Sequence, residues 1–235
     1  MDISPDAWIF WQWGPVVLNA TIVFTWGVMG LLVAVSWLVT RNISAGQDVS
    51  RWQLFLETVV SYIRKEIENI IQRDPDPYLP FIGTLFLYIS VANLLAILPK
   101  YLPPTGSITT TAALAVCVFF AVPVYGISQA GFKVYIKHYI RPNVFMLPFN
   151  IIGEFSRTLA LAVRLFGNVM SGTLIVAILI SVAPLFVPIV MQALGLLIGQ
   201  IQAYIFAVLA TVYIASATRA FREKDRTENE AEKEE

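Results

Sequence analysis

An apolar stretch that carries fixed charges on a single stripe leaves a chain few folding options. Residues 150–172 read NIIGEFSRTLALAVRLFGNVMSG. On a helix of about 3.6 residues per turn, Asn150, Glu154, Arg157, Leu161, Arg164 and Asn168 recur at alternating steps of four and three, so the polar side chains share one face. The other faces are Ile, Leu, Val, Phe and Ala. A charge at bilayer depth costs several kcal/mol or more, so such a stripe must face protein or trapped water rather than lipid.

The rest of the chain supports a membrane setting. It has 235 residues, of which 57% are hydrophobic and 14% charged, with a mean hydropathy of +0.69. Soluble domains carry about 25% charged residues. Long continuous apolar runs are present, and the alternating pattern of a membrane barrel is absent. The expected fold is an all-α integral membrane protein in one domain, with about five membrane helices and one amphipathic helix. Residues 1–15 hold Asp2 and Asp6, no Lys or Arg, and Trp8, Trp11 and Trp13. They lack the basic start of a cleavable signal, and the tryptophans suit an interfacial anchor.

Hydropathy places spans at 16–40, 79–98 and 108–130, and long helices at 145–182 and 189–218. At about 1.5 Å per residue the 145–182 helix exceeds a ~30 Å hydrocarbon core, so it should be strongly tilted, bent or partly outside the core. Residues 50–73 alternate Trp52, Phe55, Leu56, Val59, Ile63, Ile67, Ile70 and Ile71 with charges. This is an amphipathic helix for the membrane surface, or else for packing on soluble protein. The Asp-Pro-Asp-Pro run at 74–77 ends it. Pro123 is a candidate kink site in the third span. Residues 219–235 form a cytoplasmic tail, basic at first and then acidic from Glu228 to Glu235, the acidic part expected to be disordered. Segments 41–73, 131–143 and 219–235 hold five, three and five Lys or Arg, whereas the opposite loops hold only Lys100. Five spans put the three basic segments on one side, the cytoplasmic side by the positive-inside rule, with the N-terminus outside and the C-terminus inside.

The single cysteine, Cys117, rules out an internal disulfide and reads as a packing residue, and His138 reads as a loop residue. No metal cluster, phosphate loop, dinucleotide turn or nucleophile elbow occurs. No metal or cofactor is expected, and the short basic loops, explained by topology, give no support for nucleic-acid binding. Between Asp76 and Glu223 the one carboxylate is Glu154, which argues against an enzyme using paired carboxylates; no catalytic chemistry of its own is expected of the chain. Arg164 stays protonated, since its pKa exceeds ~12. It is expected to be shielded without a mate in its own chain, Glu154 lying ~15 Å away along the axis, which points to a carboxylate on another subunit. Arg157 could instead snorkel to headgroups. On the final helix Gln192, Gly195, Gly199 and Gln202 share a face. Gly195 and Gly199 form a small-xxx-small pair permitting close helix packing. This face is expected to meet the polar stripe of residues 150–168.

The blocks RTLALAVRLFGNVMSG and QIQAYIFAVLATVY, with NLLAILP at 93–99, closely resemble the F-type ATP synthase subunit a family, over most of the chain. The resemblance implies a membrane stator in the bacterial inner membrane. Its partners would be a ring of c subunits, the b subunits of the peripheral stalk and the rest of the complex. It implies a long C-terminal helical hairpin, two half-channels for H+ or Na+, and an essential arginine at Arg164 that discharges the rotor carboxylate. Gln202 would be its neighbour, with Asn150, Glu154, Arg157, Asn168, Ser171, Thr173 and Gln192 along the ion path. The positions matching Thr173 and Gly195 are often titratable in the family, and that matching Asn150 is often glutamate; here all three are uncharged. That departure makes a sodium-motive or otherwise divergent branch plausible. The rival readings are a secondary transporter, disfavoured by the lack of an inverted repeat, and a structural scaffold in which Arg164 only pins helices.

Overall fold

The computed structural model describes residues 9–13, 16–41, 51–98, 101–131, 146–182 and 187–219. Two short strands, β1 (Ile9–Trp13) and β2 (Val16–Asn19), form an antiparallel hairpin with an irregularity between Ile9 and Trp11. Helix α1 (Ala20–Thr40) follows directly. The first span therefore starts at Ala20 rather than at residue 16, because residues 16–19 are drawn into strand pairing that hydropathy does not register. Otherwise the described residues are mainly helical, and they contain five helices long and apolar enough to cross a bilayer.

Helix α2 (Arg51–Ile71) buries Ile63, Ile67 and Ile71, positions four apart on one face. These side chains pack with Tyr78, Ile82, Val122 and Ile214, so the C-terminal half of the amphipathic helix lies on its own chain, whereas Leu54 and Phe55 nearer its start are exposed. It stops at Gln72, which takes a left-handed φ of 57° and donates its N–H to the Glu68 carbonyl at 2.7 Å. Arg64 pairs with Asp76 at 2.8 Å across the following turn. Both are half exposed, so the pair contributes only ~0–1 kcal/mol.

Helix α3 (Leu79–Leu94) opens on a proline in its first turn, where a missing N–H costs nothing, and closes through a 3-10 turn at Leu95–Ile97. A second 3-10 turn, Pro104–Gly106, leads into α4 (Ile108–Ala130), capped by the Ser107 hydroxyl accepting from the Thr109 N–H at 3.3 Å. Pro123 lies inside α4 without ending it. Helices α5 (Met146–Val182, 37 residues) and α6 (Val187–Arg219, 33 residues) are the long C-terminal pair. At roughly 55 and 50 Å they exceed a ~30 Å hydrocarbon core, so each must tilt, bend or extend beyond it. The basic loop expected at 131–143 and the tail after 219 fall almost wholly outside the described residues.

The main core joins α3, α4, α5 and α6 through Ile89, Val118, Leu161, Leu165 and Phe206, all nearly inaccessible. Helix α1 touches this core chiefly through Val28, while Trp26, Met29, Val33, Trp37 and Leu38 point outward. The seam between α3 and α6 is polar. Gln192 Nε2 donates to the Ala96 carbonyl (3.1 Å) and Asn93 Nδ2 to the Gly199 carbonyl (3.0 Å), while Gln200 binds Ser90 at both ends of its amide. Interhelical hydrogen bonds of this kind contribute about 0.6 kcal/mol each in a bilayer, at most ~1.7.

Candidate functional site

The polar stripe of α5 is real as a face but not uniform in its surroundings. Leu161, inside the stripe, is buried in the core, whereas Asn150, Arg157, Arg164 and Asn168 are exposed and Glu154 is partly buried. Glu154 accepts the Thr158 hydroxyl on its backbone carbonyl at 3.0 Å. The Arg157 guanidinium lies 5.9 Å from the centre of the Tyr213 ring on α6, within range of a cation–π contact. That contact ties the cation to the neighbouring helix.

Arg164 sits near the middle of the apolar span Pro148–Leu179. No hydrogen bond or ion pair joins it to another described residue. Contrary to expectation, its side chain is exposed in the isolated chain rather than enclosed by it. Its shielding is not supplied by the chain's own helices, because Leu161 and Leu165 take the inward positions to either side. Elsewhere on their surfaces the two helices expose large apolar groups, among them Leu159 and Val163 on α5 and Leu194, Ile198 and Ile201 on α6.

One turn along from Arg164, Asn168 Nδ2 donates to Gln202 Oε1 at 2.7 Å. This contact joins the two conspicuous sequence blocks across 34 residues. Gln202 is only 2% exposed, and its Nε2 has no hydrogen-bond partner among the described residues. A buried donor without an acceptor costs about 1–3 kcal/mol, and Gln202 borders a cleft large enough for water to accept from it. Ser171 and Thr173 turn their hydroxyls back onto their own helix, to the carbonyls of Asn168 (3.2 Å) and Met170 (2.8 Å).

Beside this contact lies a cleft of about 360 Å³, at the end of the bundle where α3 stops and α4 begins. Asn93, Tyr101, Asn168, Thr173, Gln192 and Gln202 supply its polar lining. No Asp, Glu, Lys, Arg or His borders it among the described residues, and apart from those six side chains its walls are largely apolar. A volume of this size holds on the order of ten waters at ~30 Å³ each. Asn150, Glu154 and Arg157 do not reach it; they lie along the opposite half of α5.

The expected meeting of the α6 face with the α5 stripe is only partly realised. Gln202 meets Asn168, but Gly199 meets Asn93 of α3, and Gln192 bonds to the end of α3. The paired-glycine expectation is corrected as well. A Cβ on Gly199 would fall 2.9 Å from Asn93 Cβ, whereas one on Gly195 would meet nothing within 4 Å. Close approach needs Gly199 alone, and Gly195 borders the cleft. Sequence reading passed over Asn93, Ser90, Gln200 and Tyr101 as site residues. Isolated polar residues in apolar runs were the available signal for the first three.

Comparison with known proteins bears on what this arrangement belongs to. Residues 22–215 match the family described as ATP synthase A chain. ATP synthase subunit a 2 of Acaryochloris marina is 60% identical over 230 residues, covering 98% of both chains. ATP synthase subunit a of Albidiferax ferrireducens is 59% identical over 224 residues, covering 95% of this chain and 97% of the relative. ATP synthase subunit a 1 of Chlorobaculum parvum is 55% identical over 224 residues, covering 95% and 99%. With these matches, and with the two polar blocks in contact within a set of five apolar helices, the chain belongs to the F-type ATP synthase subunit a family.

Proposed function

We propose that this chain is the ion-translocating stator subunit of a bacterial F-type ATP synthase, and that Arg164 discharges a carboxylate carried past it on a ring of c subunits. The single observation behind this reading is Arg164 itself. It is a permanent cation at mid-span, exposed, without a partner among the described residues, and one helical turn from the Asn168–Gln202 contact. A carboxylate arriving within 4 Å would gain about 4 kcal/mol at an effective dielectric of ~20. That corresponds to roughly three pKa units in favour of the ionised form. The bound ion would leave there, and the fixed charge would bar direct cation passage along the face.

The uncharged cleft serves as the outward half-channel in this reading, and the stretch containing Asn150, Glu154 and Arg157 lies along the cytoplasmic one. The basic segments then face the cytoplasm of the inner membrane, with the N-terminus outside and the b subunits of the peripheral stalk holding the chain against rotation. Because no charged side chain among the described residues borders the cleft, ions would cross it by hydration rather than by side-chain proton relay. Such a route admits Na+ as readily as H+, in keeping with a sodium-motive branch. The membrane potential supplies about 2.3 kcal/mol per elementary charge per 100 mV to drive rotation.

The test is Arg164→Ala in the assembled complex, reconstituted in vesicles and supplied with ATP. Uptake of radioactive sodium and quenching of a proton-sensitive dye are followed in parallel, with and without Na+. Loss of all ATP-driven uptake with the complex intact is the expected result. Uptake at the parent rate would refute the role of Arg164, and the ion whose uptake persists in the parent identifies the coupling ion.

A further inference from the structure

We propose that Ser90 and Gln200 act as a positioning pair that fixes the rotation of α6 and thereby holds the Gln202 carboxamide against Asn168, beside Arg164. The proposal rests on the reading that the Arg164 stripe handles the ion. Gln200 is a polar side chain in an apolar membrane helix, and both ends of its amide are satisfied by one residue of α3. Its Oε1 accepts from the Ser90 hydroxyl, and its Nε2 donates to the Ser90 carbonyl at 3.0 Å. A two-point clasp on one residue is met at a single helix rotation.

The neighbouring residue is fixed independently. The Gly199 carbonyl accepts from Asn93 Nδ2 at 3.0 Å, and Asn93 is itself steadied by the Thr105 hydroxyl at 2.7 Å. Consecutive residues on a helix point about 100° apart, so these anchors bracket the rotation of α6 from two directions. Gln202 lies about 60° beyond Gly199 on the other flank, toward α5, where Asn168 reaches it at 2.7 Å. A rotation of ~20° at a side-chain radius of ~6 Å moves that amide by ~2 Å, which is enough to break the contact. Neither Ser90 nor Gln200 touches Asn168 or Arg164, so their effect on the site passes through the helix.

The experiment uses the complete complex in native membranes with Cys117→Ala, which removes the chain's one free thiol. Asn168→Cys and Gln202→Cys are introduced together, and the yield with a short bifunctional thiol reagent is measured. Gln200→Leu should lower that yield at least threefold, Ser90→Ala should lower it in the same direction, and the double variant should be no worse than Gln200→Leu alone. In the chain without the added cysteines, Gln200→Leu should reduce ATP-driven ion uptake at least threefold while ATP hydrolysis continues. Ser90→Ala deletes one hydroxyl, so it carries the test should Gln200→Leu fail to assemble. Unchanged cross-linking in both single variants, or additive losses in the double, would overturn the proposal. Reduced cross-linking with unchanged ion uptake would uphold the positioning pair and overturn the ion-path reading instead.

Discussion

Replacing Gly199 with alanine tests the packing that brings α6 to α3. A Cβ at this position would lie 2.9 Å from Asn93 Cβ, 3.2 Å from its Cγ and 3.3 Å from its Nδ2. The first distance is shorter than real Cβ contacts, and the obstacle is the stem of a side chain that is 4% exposed and bonded on two sides. Asn93 cannot swing away without giving up both hydrogen bonds, so the helices must separate. Overpacking of this size costs about 1–3 kcal/mol, and the loss of the Asn93–Gly199 bond adds about 0.6. Alanine recovers ~0.8–1 kcal/mol of helix propensity. The net expectation is a destabilisation of about 1–3 kcal/mol. Gly195→Ala is the internal control, because its Cβ enters open space. It should be neutral, or stabilising by up to ~1 kcal/mol through propensity alone. Thermal unfolding of the purified complex, followed by release of this subunit, ranks the three proteins. If Gly199→Ala matches the parent, or if Gly195→Ala loses as much, the steric argument fails.

Gln72 closes α2 in a left-handed conformation at φ 57° and is exposed. Gln72→Gly should raise the unfolding midpoint, by up to ~1 kcal/mol of stability, since glycine adopts that geometry without a Cβ penalty; a lower midpoint would count against it. Tyr101, in the loop between α3 and α4, has its phenol pushed far above the ordinary value by burial, with nearby Tyr88 adding to the effect. A raised folded-state value favours the neutral form. Its stabilising contribution is therefore complete below pH ~10, the unfolded value, and is lost as pH rises from there toward the folded one. Tyr101→Phe keeps the ring against Phe24, 4.9 Å away, and should soften the loss of stability above pH ~10; an identical alkaline profile would exclude Tyr101 as its source.

The spans were legible in the sequence because a bilayer demands uninterrupted apolar length, and that property is local. The start of α1 was not, since residues 16–19 are apolar enough for a membrane helix yet pair with 9–13 instead. The stripe on α5 was legible from its spacing alone. What each member touches was not, because burial depends on partners far along the chain. Leu161 turned inward and Arg164 outward although they are neighbours on one face. Gln202 could be matched to Asn168 through the two sequence blocks, but Gln200 meets Ser90 across 110 residues with no local cue. The glycine pair shows the same limit. Spacing treats Gly195 and Gly199 as equivalent, and only the position of Asn93 separates them.

The outward placement of Arg164 also bears on how this polypeptide reaches its destination. A solitary copy in a bilayer would set a guanidinium against acyl chains at mid-depth, at a cost of several kcal/mol. Docking beside an acidic neighbour removes that cost, so orphan molecules are the high-energy species and incorporation runs downhill. The residue at the centre of the transport reading is thus also a thermodynamic reason for the chain not to persist alone.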